Sequence, residues 1–494
     1  MGYFLGIDIG TSGVKVLILD ESARVIGSVN QDYPLYSPYS GWFEQDPEEI
    51  WQGTLKAVNT VIDKYSLAPK EIKGIGLSGQ MHSAIFLDEN HRVLRKAILW
   101  NDTRTTKQCR QIEELVGKED LHQEACNPAL EGFTAPKVFW VRENEPNIYA
   151  KTRWIILPKD YIRYRITGQI QMEISDAAGT LFLNIVKQKW SDLILERLDI
   201  DPNLLPPLVN SSEVAGYTTL EFEQLTNIPV GTPVVGGGAD NACGAIGAGI
   251  VKEGRCMISL GTSGVMLAHL DQPILLNEGT VHIFNSAVTD RYYMMGVMLA
   301  SGLSYSWIKE ILAEDLSYQE MEELATQSPA GSNSLIYLPY LCGERTPHGD
   351  GAARGVFFGL SQSHTKKDLL RAVLEGVAFS FRDSVQLLRK AGWSGNNVRA
   401  IGGGAKSRLW CEIIASVTGL NVEVLASNEG PALGAAILAG VGVGTFKDLA
   451  QVSDSIVTTI DVIQPNPEWI GRYNQTYQIY TSLYPALKPL YELL

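Results

Sequence analysis

Apolar residues cluster in runs at the start of the chain. YFLGIDIG (residues 3–10) is apolar almost throughout, as befits a strand covered on both faces. TSGVKVLILD (11–20) and RVIGSVNQDY (24–33) follow in the same style, after turns at residues 10–13 and 20–23. Three consecutive strands predict a meander. The period then changes in DPEEIWQGTLKAVNTVIDKY (46–65), where Trp51, Leu55, Val58 and Ile62 recur at helical spacing. Asp46 can N-cap this helix, Pro47 suits its first position, and Glu48 and Glu49 complement its dipole. The helix should pack on the sheet. IKGIGLSG (72–79) predicts a further strand, and HSAIFLDENHRVLRKAI (82–98) predicts a hairpin around the polar turn 88–91.

The second half has related grammar. GRCMISLGTSGVMLAHL (254–270) predicts strand, turn and strand, and KKDLLRAVLEGVAFSFRDSVQLLRKAG (366–392) a long helix. VRAIGGGAKSRLWCEIIASVTG (398–419) predicts a strand, a glycine turn and a helix. The order implies an α/β fold from a duplicated βββαβαβα unit, divided near residues 249–254 into domains 1–249 and 250–494. With no low-complexity linker between them, the halves should meet across a cleft.

Composition narrows the partners. A net charge of −14 argues against nucleic acid or an anionic membrane, both of which call for clustered Lys and Arg. Six scattered cysteines without a CxxC pair predict buried, reduced thiols. No basic leader or spanning apolar run is seen, so a cytoplasmic protein acting on a small molecule is expected.

The turn Gly-Thr-Ser-Gly-Val occurs at residues 10–14 and again at 261–265. Such a turn bends tightly, points several N–H groups to one side and adds two hydroxyl donors, so it can cradle phosphate oxygens. In a single copy it would pass for an ordinary turn; its recurrence at matching places points to one polyphosphate held between two loops. There is no GxxxxGK[ST] loop, and the GxGxxG at residues 74–79 lacks the strand-to-helix setting of a dinucleotide site.

GIDIGTSGVKV, GGGADNACGAIGAG (236–249), LGTSGV and IGGGAKSRLW together resemble the FGGY carbohydrate kinases of the actin and hexokinase superfamily. FTAPKVFWVRENE (133–145) and GVFFGLSQSHTKKDLLRAVLEG (355–376) resemble that family's two signature segments. Within it, GQMHS (79–83), ILWNDTRT (98–105), LPKDYIRYRITG (157–168) and YLCGERTPH (340–348) are most similar to xylulokinases, although Ser83 stands where many of those carry glycine.

The resemblance implies two actin-like (ribonuclease H-like) ATPase domains with the site in the cleft. It implies ATP-dependent phosphorylation of D-xylulose to D-xylulose 5-phosphate, with Mg²⁺, and it allows a homodimer. Asp240 would be the general base and Asp8 the Mg²⁺ carboxylate. Thr11, Ser12, Gly261, Thr262 and Ser263 would contact the β- and γ-phosphates, and Gly403, Gly404, Ala405 and Lys406 would lie at the adenosine. The helix after Lys406 would offer its free N–H groups to the nucleotide. Met81 and His82 would frame the sugar, Trp100 would pack on its carbon face, and Asn101, Asp102 and Asn241 would bind hydroxyls. Two other readings stay open: a kinase of another ketose, polyol or sugar acid, and a non-catalytic ATP switch or sugar sensor. Asp240, which a pure sensor would not require, weighs against the second.

Overall fold

The computed structural model describes residues 2–274, 281–426 and 429–494. Two seven-stranded sheets organise it. In the first, β1 (Tyr3–Ile9), β2 (Gly13–Asp20) and β3 (Val25–Asp32) form the antiparallel meander. β4 (Ile72–Gly79) runs parallel to β1, and β5 (Val214–Tyr217) and β6 (Pro233–Val235) complete the order β5-β6-β4-β1-β2-β3, with Gly238–Ala239 also paired to β4. The second sheet uses β7 (Cys256–Leu260), β8 (Gly264–Leu270), β9 (His282–Asn285), β10 (Tyr292–Met298), β11 (Asn397–Ile401), β12 (Asn421–Leu425) and β13 (Thr459–Ile463). Its order, β9-β10-β8-β7-β11-β12-β13, again places the first strand of the unit centrally, with an antiparallel hairpin on one side and a parallel strand on the other. The duplication is therefore visible in the sheets.

Helix α1 (Pro47–Lys64) starts as its sequence dictates, with the Asp46 carboxylate accepting from the Glu48 N–H at 2.9 Å. It buries Ile50, Trp51, Val58 and Val61 against the first sheet. The 82–98 segment turns back at 88–91 as expected: the Asp88 N–H bonds the Arg92 carbonyl at 3.0 Å, the Leu94 N–H bonds the Phe86 carbonyl at 2.9 Å, and antiparallel bridges form at Leu87–Val93 and Ala84–Ile98. Its longer pairings go elsewhere, Ile85–Leu87 to Trp154–Ile156 and Ala97–Ile98 to Glu44–Gln45. Arg95 in the return pairs with Glu44 and Glu145.

Two helices of small residues connect the halves: α2 (Asp240–Gly247) and α6 (Gly430–Gly442). Although α6 belongs to the second half of the chain, it packs on the first sheet. A Cβ on Gly6 of β1 would sit 1.9 Å from the Ala432 carbonyl oxygen, and one on Gly76 of β4 would sit 1.9 Å from that of Ala435. The glycines of GIGLSG thus admit a helix backbone rather than a dinucleotide. A Cβ on Gly434 would lie 2.0 Å from the Cys243 carbonyl oxygen, so α6 and α2 touch backbone to backbone. Every residue of α6 from Ala432 to Gly440 is buried, which explains its lack of a polar face.

Five of the six cysteines are buried as expected, but Cys342 is exposed, because its loop runs over the surface. Among the described residues no helix is long and apolar enough to cross a membrane.

Candidate active site

Asp8 lies near the end of β1, in register with Lys15 on β2 and Ser78 on β4. Burial raises its pKa to about 6, and nearby Ser78 and Lys15 only partly offset this. Lys15 is shared, since its ammonium also lies 2.6 Å from the Glu429 carboxylate of the second half. The Asp8 Oδ1 is buried with no hydrogen-bond partner among the described residues. Asp240 opens α2. Burial first, and then the charge of Asp8, push its pKa to about 7, against two bonds that Asn241 donates to Oδ1 at 2.7 and 3.0 Å. Two carboxylates with proton affinities raised by burial, one of them further raised by the other, suit a base working near neutrality and a bound cation. Asp8 with its orphaned oxygen fits the cation. Asn241 spends one of its two side-chain N–H donors on Asp240, which leaves the second and its carbonyl oxygen for other work.

A buried network holds the GGGAD segment. Gly237 takes φ +79°, where a Cβ would meet the Leu77 carbonyl oxygen at 2.0 Å. The Gly236 carbonyl accepts from Lys159 Nζ at 3.2 Å and Arg163 Nη1 at 2.7 Å. The Ala239 N–H donates to Ser175 Oγ at 2.9 Å, which in turn donates to Glu173 at 2.7 Å. Burial pulls the pKa of Lys159 down, but the nearby carboxylates, Asp160 and Asp176 each 3.2 Å from its ammonium, outweigh burial and raise it. LPKDYIRYRITG supplies the two cations. Its motif was visible in the sequence; its task of fixing the backbone before Asp240 was not.

The two repeated turns are braced differently. At the first, the Gly10 N–H bonds the Gly13 carbonyl at 3.0 Å and Gln45 donates to the Thr11 carbonyl at 2.5 Å, leaving Ser12 exposed. At the second, the start of helix α3 (Gly302–Leu312) is stapled to the loop: Gly302 N–H to Gly261 carbonyl at 2.8 Å, and Ser301 N–H to Thr262 carbonyl at 3.1 Å. Thr262 is exposed and Ser263 half-buried. Gly403–Lys406 form a 3-10 turn beside Leu260, immediately before the second loop. Lys406 is exposed. The helix that follows, α5 (Arg408–Thr418), does not offer its N–H groups as expected: Ser407 takes that of Trp410 at 3.1 Å and Glu322 that of Leu409 at 2.7 Å.

Met81 and His82 face aromatic neighbours from both halves. Met81 is 3% exposed, and its sulfur receives the Tyr293 O–H at 3.6 Å. His82 holds φ +70°, unusual for a residue with a side chain, and is clamped by Nδ1 at 2.6 Å from the Gly179 carbonyl and by Thr134 on its own carbonyl at 2.9 Å. Burial lowers its pKa to about 3, so the ring is neutral; the Gly179 contact places the proton on Nδ1 and leaves Nε2 as an acceptor. Its ring centroid lies 4.8 Å from that of Phe133 and 5.9 Å from that of Phe284.

Trp100 donates its indole N–H to Thr11 Oγ1 at 2.9 Å, and its backbone N–H to Ser83 Oγ at 3.1 Å. The hydroxyl that departs from the family pattern therefore anchors Trp100. Asn101 keeps a buried Oδ1 without a partner among the described residues. Asp102 is otherwise occupied: Arg104 and the Phe43 N–H saturate both oxygens at 2.6–2.9 Å, so it braces the loop rather than offering itself to a sugar. Sequence reasoning missed Phe133, Phe284, Lys137 and Arg345. Lys137 is buried and donates to the carbonyls of Glu131, Gly132 and Phe133 at 2.6–2.9 Å, with its pKa lowered by burial to about 7. Phe133 and Lys137 lie in a recognisable signature segment and Arg345 in YLCGERTPH, but no motif marks Phe284, and none shows which way the side chains turn.

Residues 3–247 match the N-terminal domain, and residues 256–443 the C-terminal domain, of the FGGY family of carbohydrate kinases. The chain belongs to that family. It is 43% identical over 486 residues to a xylulose kinase of Staphylococcus epidermidis, covering 98% of this chain and 97% of the relative. Against the Bacillus subtilis xylulose kinase it is 41% identical over 490 residues, covering 99% and 98%. A ligand-bound xylulose kinase from Lactobacillus acidophilus superposes with a TM-score of 0.95 at 27% identity, over 100% of this chain and 99% of that one.

Proposed function

We propose that the chain transfers the γ-phosphoryl group of ATP to the terminal hydroxyl of D-xylulose, giving D-xylulose 5-phosphate and ADP. What supports this reading is the full-length identity to xylulose kinases, in a chain where Tyr293 bonds Met81, the neighbour of His82, and also feels the charge of Asp240. Asp240, with a proton affinity near neutrality, takes the hydroxyl proton. The sugar oxygen then bonds to the γ-phosphorus as the bond from phosphorus to the ADP oxygen breaks. Mg²⁺, when bound with ATP, supplies charge neutralisation at the phosphates, and the orphaned Asp8 Oδ1 would hold it directly or through its waters. Thr11 and Ser12 from one half, and Gly261, Thr262 and Ser263 from the other, hold the phosphates; Gly403, Gly404, Ala405 and Lys406 flank the adenosine. His82 Nε2 accepts from a sugar hydroxyl, and Asn101 Oδ1 and the Asn241 carbonyl are further acceptors.

In this reading domains 1–249 and 250–494 close on the sugar to exclude water. The enzyme works in the cytoplasm, as a homodimer. The test is ADP release with MgATP across D-xylulose, D-ribulose, L-ribulose, glycerol and gluconate, beside a sugar-free blank. Strong preference for D-xylulose is expected. Preference for another substrate would overturn the sugar and keep the chemistry; ATP binding without sugar-stimulated turnover would overturn the kinase reading.

A further inference from the structure

Arg345 sits on a pinned backbone. The Thr346 N–H and hydroxyl exchange bonds with the Val297 carbonyl and N–H, both at 3.0 Å, tying the segment to β10. Glu344 Oε1 accepts from the N–H groups of Leu299 at 3.1 Å and Arg345 itself at 2.8 Å. From this mount the side chain reaches out of the second half toward the first. A Cβ on Gly132 would lie 3.8 Å from Arg345 Nη2, and the same point lies 3.4 Å from the Trp100 carbonyl oxygen. The Arg345 charge also depresses the proton affinities of His82 and His282.

The guanidinium itself is unspent. Its five donors make no hydrogen bond or ion pair with any described residue; Glu131 and Glu344 act on it only through space. Other interior arginines are committed: Arg104 to Asp102, Arg163 to Asp160, Arg371 to Glu375. Arg345 is half-buried, so a rigidly mounted guanidinium with no protein partner is open to pair with a ligand that enters beside it.

We infer that Arg345 is the second half's contribution to the sugar site, donating to ketose oxygens at the end remote from the hydroxyl that reacts at Asp240. This rests on the proposal that a ketose occupies the Met81–His82 side of the cleft. The neighbours of Arg345 are Gly132, Trp100 and the two histidines, none of them in a Gly-Thr-Ser-Gly turn, which favours sugar over phosphate. Arg345 stands beside Gly132, whereas Asp240 stands with Asn241 at the start of α2, and in this assignment they take different ends of the substrate. A planar fork of donors suits the paired oxygens O1 and O2 of a 2-ketose.

The experiment compares wild type, R345A, R345K and E131Q in the full-length chain, with KM for sugar and KM for ATP measured separately. R345A should raise the KM for D-xylulose by about tenfold or more, the scale of a charged hydrogen bond, and leave the KM for ATP within about twofold. Added guanidinium chloride should restore part of the R345A sugar affinity, a rescue that a merely structural defect would not show. Wild type should bind 1-deoxy-D-xylulose about tenfold more weakly than D-xylulose, and R345K should lose that discrimination; this arm serves even if R345A fails to fold. An unchanged sugar KM, a rise confined to ATP, or an equal loss in E131Q, which would mark a latch between halves, overturns the inference. If wild type prefers another sugar, the same arms are run with that sugar, so the D-xylulose reading can fall while the role of Arg345 stands.

Discussion

The indole N–H of Trp100 donates to the Thr11 hydroxyl at 2.9 Å. One hydrogen bond thus joins the proposed sugar wall to the proposed phosphate turn, and the Trp100 backbone is held in turn by Ser83. W100F keeps an aromatic ring, smaller than the indole, and removes the donor. It should raise the KM for sugar and for ATP together, each by about three- to tenfold, as expected for one net hydrogen bond. T11V should do the same, and the double variant should be no worse than either alone. Additive losses in steady-state kinetics would show that the bond does not couple the two sites.

Asp240→Ala should keep sugar binding, read by calorimetry, and lose turnover by at least about a hundredfold. Because the folded pKa of Asp240 is about 7, its base form appears only as pH rises, so kcat/KM should fall below about pH 7.

The same group has a stability signature with the opposite slope. Its folded pKa lies above its ordinary 3.8, so the folded protein holds a proton that the unfolded chain releases. Its contribution to stability is fully present below about pH 4 and is lost as pH rises through about 7. In nucleotide-free, metal-free protein, D240N should therefore melt higher than wild type at pH 8 and equally at pH 4. Scanning calorimetry at the two pH values decides it.

Asp8→Asn should weaken the Mg²⁺ dependence of turnover by about tenfold or more while sugar affinity stays within about twofold. A Mg²⁺ titration of the initial rate that superposes on wild type would remove Asp8 from the metal site.

Lys159→Met strands Asp176 as a buried acid and leaves Asp160 with Arg163 as its one cation, while Arg163 still holds the Gly236 carbonyl. Loss of about 3–5 kcal/mol in chemical denaturation is expected. K159M/D176N should recover part of it, since the stranded charge is gone. Retention of wild-type stability by K159M would mean the network is neutral on balance.

Much of the fold was legible because each local signal agreed with the global one. The strands of the meander are apolar runs, and the cap of α1 needs only Asp46 and the two residues after it. The turn at 88–91 was legible, but the pairing of Ile85–Leu87 with Trp154–Ile156 was not, because local pattern says nothing of a strand about 70 residues away. At the site, Asp8, Asp240, Met81 and His82 stand in motifs, whereas the saturation of Asp102 by Arg104 depends on rotamers that no spacing reveals. Phe284 and Arg345 reach the Met81–His82 region from more than 200 residues away in the chain, carried there by the second sheet. Residues 430–442 gave no amphipathic stripe to read, since the helix has no solvent side.

The placement of α6 on β1 and β4 has a consequence for anyone dividing or recombining this chain. A fragment ending near residue 249 would expose a sheet face shaped, glycine by glycine, for a helix it no longer owns. The partner fragment would carry a wholly apolar helix with nowhere to lie. Chimeras that exchange specificity between sugar kinases should therefore take residues 430–442 from the same parent as residues 1–80. The hereditary unit of the first half is discontinuous in sequence, and a cut between the halves would run through it.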